Sequence, residues 1–148
     1  MSALRVAILG EAVVDFKATG PLAFQGYPGG SPFNVAVAVA RLGQPVAFLS
    51  QISRDLLGQP LRQYLINNGV DTRLVLESDA PTTVAFVEEQ GGQAHFQFMN
   101  RGAADTRYDP QPRPVLPDSL RFMQFGSISL LSDPAASAIL DIVAAHRP

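Results

Sequence analysis

Cysteine is absent from the 148 residues. That excludes disulfides, thiolate metal sites and cysteine nucleophiles. Histidine is scarce: only His95 and His146 carry imidazole, 51 positions apart, so a His-rich zinc site is not expected. Charge is scarce too, at 16% of residues and a net of −2, against a typical ~25% charged. A near-neutral chain lacks the positive field that non-specific nucleic-acid binding uses, so no nucleic-acid partner is expected. No apolar run approaches the ~18 residues of a membrane span. The stretch Met1 to Val6 has no basic region leading into a long apolar one. The expectation is a cytoplasmic protein with no membrane partner.

What is present is a hydrophobic share of 47%, enough to bury a core. With so little charge, some apolar surface is expected to meet a neighbour. Val6 to Leu9 is a short apolar run ending at Gly10 and reads as a buried strand, with Glu11 to Phe16 continuing it past a kink. Lys17 to Gly30 reads as loop or edge strand. Ser31-Pro32 reads as an N-cap and first helical residue, opening an Ala- and Val-rich helix that stops at Gly43. A second buried strand is expected over Pro45 to Ser50. An amphipathic helix follows over Asp55 to Asn68, with Leu57, Leu61, Tyr64 and Leu65 on one side and a regular part that Gly58 and Pro60 set to begin late. A third strand is expected over Thr72 to Leu76.

Thr82 to Asn100 differs in kind. Val84, Phe86, Phe96 and Phe98 alternate about Gln90-Gly91-Gly92-Gln93, a hairpin signal with one covered face. A proline-rich connection from Tyr108 to Asp118 leads to a strand at Phe122 to Phe125. Asp133-Pro134 then caps a final helix over Ala135 to His146. Helices between all-apolar strands predict an α/β fold with a parallel sheet flanked by helices. The hairpin and the residues around 13 to 28 form a separate small antiparallel flap. Ligands of such sheets bind beyond the carboxyl ends of the strands. Glu11, Asp15, Ser127 and Ser129 fall there.

Gly29-Gly30-Ser31-Pro32-Phe33-Asn34 is the strongest local constellation. Paired glycines before a helix start let backbone approach a ligand, and a helix N-terminus favours oxygen-rich groups. Asn34 offers a donor and an acceptor suited to a sugar hydroxyl. A carboxylate at Asp15 can accept two hydroxyl hydrogen bonds. Each residue also has a plain reading: a turn, a helix start, a solvated aspartate. Glu11 is either a further ligand or the residue that orders the glycine-rich loop.

These residues carry a resemblance. Gly10-Glu11 and Asp15, Pro28 to Ala36, and Ala40 to Gly43 resemble the N-terminal signature of the ribokinase-like (PfkB) carbohydrate kinases, in their fructokinase-like branch. Asp55 to Gly58, Asn68 to Asp71, Pro81 to Thr83 and Phe125 to Ser129 agree in order. The resemblance implies a ribokinase-like α/β core over residues 1–12, 29–80 and 104–148, and a β lid over 13–28 and 81–103. It implies phosphoryl transfer from ATP to a sugar hydroxyl, with Mg²⁺ assisting and fructose or a related sugar as substrate. It places Asp15, Gly29, Gly30 and Asn34 at the sugar, with Glu11 beside them. The hairpin becomes part of the lid, where Phe98 or Phe96 lies against the sugar or packs within the lid sheet. A lid excludes water from the transfer, and a homodimer through it is expected.

The resemblance has gaps. Ser53 stands where the signature has a final glycine, and Met99-Asn100 stands where sugar-acid kinases carry Tyr-Arg, with Arg101 one place late. Nothing matches the Gly-Ala-Gly-Asp motif of the family's second half, nor a Gly-x4-Gly-Lys-Ser/Thr phosphate loop. The expectation is therefore the N-terminal, sugar-binding half of such a kinase, with no catalytic residue and no metal ligand in this chain, and inactive alone. Two further readings stay open. One is a non-catalytic sugar-binding or regulatory module; the other is a ribose, ketodeoxygluconate or nucleoside kinase of the same superfamily.

Overall fold

The computed structural model describes residues 3–146, the side chain of residue 90 excepted. The first strand, β1 (Val6–Leu9), is apolar throughout and ends at Gly10, whose φ of +153° turns the chain out of the sheet. The chain does continue, as expected, but into a different sheet: β2 (Val13–Gly20) and β3 (Ala23–Gly29) form an antiparallel hairpin. The stretch read as loop or edge strand is thus the end of β2 and an edge strand.

Helix α1 (Ser31–Arg41) follows at once. Gly30, not Ser31, occupies its N-cap, with φ +103° and no side-chain cap bond. Pro32 still opens the first turn, where its missing N–H costs nothing. Strand β4 (Val46–Ser53) returns parallel to β1. Helix α2 (Gly58–Asn67) begins three residues into the span from Asp55, the late start that Gly58 and Pro60 suggest. The Asp55 carboxylate accepts the N–H groups of Leu57 and Gly58, holding those residues in a turn ahead of the helix.

Strand β5 (Val75–Ser78) also begins later than the expected Thr72. Asp71 bridges to Ala47 and accepts the Arg73 N–H, so a turn fills Thr72 to Leu74. The second hairpin, β6 (Thr83–Gln90) and β7 (Gln93–Met99), fits the alternation read from the sequence. A short 3₁₀ turn at Asp105–Arg107 and an irregular connection lead to β8 (Phe122–Phe125). Helix α3 (Ala135–Ala145) closes the described chain. Pro134, not Asp133, is its N-cap, while the Asp133 carboxylate accepts both the N–H and the hydroxyl of Ser137.

The core sheet is parallel throughout, in the order β5-β4-β1-β8. Its strands alternate between two buried clusters. Ile8, Val46, Phe48 and Ile52 pack against Phe33, Ala36, Leu61 and Leu65 of α1 and α2. Ala7, Leu9, Ala47 and Leu49 pack against Tyr108, Leu116 and the inner face of α3. Both faces are covered, which is why these strands read as unbroken apolar runs. The edge strand β8 is the exception, with Phe122 71% exposed.

The second sheet runs β3-β2-β6-β7. The expected antiparallel flap is antiparallel within each hairpin and parallel where β2 meets β6, so the sheet is mixed. One face carries Val14, Phe16 and Val84 onto the core cluster. The other carries Asp15 and the residues in register with it.

Candidate acceptor site

Three chain segments converge beyond the end of β1. A side chain on Gly10 would collide with Pro32 of α1 and lie 3.1 Å from the Ser129 hydroxyl. Ser129 is buried; its N–H donates to Glu11 Oε2 (3.3 Å) and its hydroxyl to the Gly126 carbonyl (2.6 Å). Ser127, which opens the 3₁₀ turn Ser127–Leu130, is exposed and held at φ +65°. A non-glycine residue there is uncommon and costs strain.

Glu11 is 1% exposed. Its backbone carbonyl sits against Gly30, 2.8 Å from where a Cβ would stand. Of the two roles open to Glu11, this geometry fits the ordering one: its side chain bonds Ser129 and its backbone supports the glycine pair.

Asp15 projects from β2 on the face away from the core. Its carboxylate lies over Gly29, in the space a side chain there would fill. Half-burial pushes its carboxyl above the usual carboxylate range by desolvation. None of the hydrogen bonds between described residues ends on this carboxylate, so a partly dehydrated acceptor faces outward. Gly30 and the first turn of α1 begin one residue further on. Asn34 N–H closes that turn onto the Gly30 carbonyl (2.9 Å), and the Asn34 side chain is exposed. A carboxylate and the unpaired amides of a helix start complement a polyhydroxy ligand: one accepts hydroxyl protons, the other donates to oxygens.

Register extends the site across the sheet. Tyr27, Asp15, Ala85 and Phe98 stand in one row on four neighbouring strands. The next row out holds Gln25, Lys17, Val87 and Phe96. Phe96 and Phe98 stack with centroids 6.0 Å apart and are 54% and 41% exposed. Phe98 therefore shares a face with Asp15, and Gly29, Gly30 and Asn34 lie at its end nearest α1. Sequence reading missed Tyr27 and Lys17, the chain's sole lysine. Their signal was the two-residue spacing from Gly29 and Asp15.

A polar cluster underlies this face. The Thr83 hydroxyl donates to Asp105 Oδ1 (2.5 Å), and both residues are buried. Desolvation, with a smaller contribution from the charge of Glu11, pushes the Asp105 carboxyl up to about 6. Thr82 points the other way, to Asp55: its N–H donates to Oδ2 (2.8 Å) and its hydroxyl to Oδ1 (2.7 Å). No three His, Cys, Asp or Glu residues among those described are grouped to hold a metal ion.

The sequence profile of the pfkB family carbohydrate kinases matches residues 3–145. The chain belongs to that family. It is 36% identical over 145 residues to a fructokinase of Rhizobium leguminosarum bv. trifolii, covering 93% of this chain and 44% of that protein. It is 34% identical over 139 residues to the aminoimidazole riboside kinase of Salmonella typhimurium, covering 93% and 43%. The fructokinase of Vibrio cholerae O395, solved with fructose, ADP and a calcium ion, superposes with a TM-score of 0.83 at 31% identity. That match covers 97% of this chain and 47% of the other. This member of the family thus spans a little under half the length of the relatives it matches.

Proposed function

We propose that these residues form the sugar-binding half of an ATP-dependent carbohydrate kinase, with fructose as the acceptor and a cytoplasmic setting. The observation that carries the reading is the Asp15 carboxylate, half-buried over Gly29 beside the start of α1 and bonded to none of the described residues. In this reading Asp15 accepts two sugar hydroxyls, Gly29 and Gly30 bring backbone close to the sugar, and Asn34 bonds a further hydroxyl. Glu11 steadies the glycine pair, and Phe98 lies against the apolar face of the ring. Residues 13–28 and 81–103 act as the lid over a core of 1–12, 29–80 and 104–148. A homodimer through this lid is part of the proposal; exposed Phe24 and Met99 on its core-side face support it.

ATP with Mg²⁺, when bound, supplies the phosphoryl group. The residues here fit the acceptor and not the donor. They contain neither a phosphate-cradling glycine-lysine loop nor, among those described, an acidic group of three. We therefore assign no catalytic residue and no metal ligand to them, and propose that the 148 residues alone bind sugar without turning it over.

A second reading of the acceptor has support of its own. The exposed aromatic face of Tyr27, Phe96 and Phe98 suits a sugar carrying a planar base, as in the substrate named for the Salmonella relative. Calorimetric titration with fructose, ribose, ketodeoxygluconate, aminoimidazole riboside and adenosine separates these. Fructose binding that Asp15→Asn abolishes supports the main reading. Binding of none of the panel sinks it, and phosphorylation by the chain alone overturns the assignment of catalysis elsewhere.

A further inference from the structure

Two motifs that the sugar site leaves unused, Asp55 to Gly58 and Pro81 to Thr83, meet at the base of the second sheet. The chain passes between the two sheets there, and consecutive threonines are held from opposite sides. Thr82 gives both its N–H and its hydroxyl to Asp55, whose Oδ1 also accepts the Leu57 and Gly58 N–H groups. Thr83 gives its hydroxyl to Asp105 on the segment returning from β7. Thr82 is 8% exposed, Thr83 0% and Asp105 5%. The Ala104 N–H adds a bond to the Pro81 carbonyl (2.8 Å), tying the outgoing and returning segments together.

We propose that Asp55 and Asp105 are positioning residues: by gripping Thr82 and Thr83 they fix where the second sheet leaves the core, and so where Asp15 stands relative to Gly30. This rests on Asp15 being the sugar ligand.

The path from clamp to ligand is short. Thr83 is the first residue of β6 and pairs with Val13, and the same parallel register sets Ala85 beside Asp15. A β6 strand fixed at its origin therefore fixes β2 through five register pairs. The β1–β2 connection is secured at its own end by Glu11 and Ser129. Hydrogen bonds to carboxylates, buried at Thr83 and part-buried at Thr82, are strong and directional, so slack at either threonine passes along the strand instead of being absorbed locally. Asp55 has a separate duty at the start of α2, which lets one carboxylate tie the sheet's base to the helix layer.

Amide hydrogen exchange on the 148-residue chain tests this, together with fructose titration. Thr83→Val keeps shape and removes the hydroxyl. It is expected to speed exchange at least tenfold along the β2–β6 seam (residues 13–17 and 83–87) while leaving β1 and β4 unchanged, and to weaken fructose binding about tenfold. Thr83→Ser is expected to restore both. Thr82→Val, which keeps its N–H bond to Asp55, serves as the milder variant and is expected to act in the same direction. A uniform rise over seam and core, or an unchanged seam in either valine variant, overturns the proposal. If the unsubstituted chain binds no fructose, the acceptor reading fails, while the exchange pattern still decides the clamp.

Discussion

The carboxylate of Asp15 occupies the space that a side chain on Gly29 would need. Gly29 lies outside the left-handed region, so an alanine there meets little backbone resistance and must instead displace the carboxylate. Gly29→Ala is expected to lower fructose affinity at least tenfold, the scale of one charge-assisted hydrogen bond, with a melting temperature within a few degrees of the parent. Titration calorimetry beside thermal unfolding checks both, and unchanged affinity would remove Asp15 from the site.

Gly30→Ala is expected to cost stability directly. Its φ of +103° disfavours any side chain, and a Cβ would stand 2.8 Å from the Glu11 carbonyl oxygen, which is backbone and yields little. A loss of about 1–3 kcal/mol follows from the strain alone. Denaturant unfolding should show a lower midpoint with an unchanged slope.

Asp105 gives a pH dependence of definite sign. Its carboxyl is raised from 3.8 to about 6 in the folded protein, so between those values the native state holds a proton that the unfolded chain has lost. Stability therefore falls as pH rises from about 4 to about 6 and levels off above, by about 3 kcal/mol in all. Asp55, Asp71 and Asp109 are held below the usual carboxylate range, and their contribution is lost at more acid pH instead. Asp105→Asn should flatten the profile between pH 4 and 6, measured by urea unfolding at half-unit steps. A parent profile already flat there would refute the assignment.

Phe122 stands on an edge strand that, among the described residues, pairs only with β1, and is 71% exposed. Phe122→Lys is expected to leave stability within about 0.5 kcal/mol and to raise the soluble monomer fraction, since a lysine on an open edge discourages strand pairing. Sedimentation velocity of the two forms decides this.

The parallel core was legible because burial on both faces leaves a strong mark. Val6 to Leu9 and Val46 to Leu49 are unbroken apolar runs, and Pro32 and Gly43 bracketed α1 despite its strand-like Ala/Val alternation. The glycine pair with Asp15 and Asn34 was legible for a local reason: they sit within 20 residues and at element ends. β2 and β3 were harder, because the outer half of β2 and most of β3 are exposed, and the pair holds Gly20, Gly26 and Pro28, which weaken a strand signal. With β3 left open between loop and edge strand, nothing placed Tyr27 beside Asp15. The threonine clamp was invisible for another reason: its bonds join residues 27 and 22 positions apart, a matter of tertiary placement that no local pattern encodes.

The parallel seam between β2 and β6 makes the two hairpins one unit drawn from distant parts of the chain. Neither hairpin can be exchanged with a relative's by itself, since the incoming strand would have to match a register set by the one left behind. Recombination within this family should accordingly succeed when residues 13–29 and 83–99 travel together, and yield misassembled sheets when a crossover point separates them.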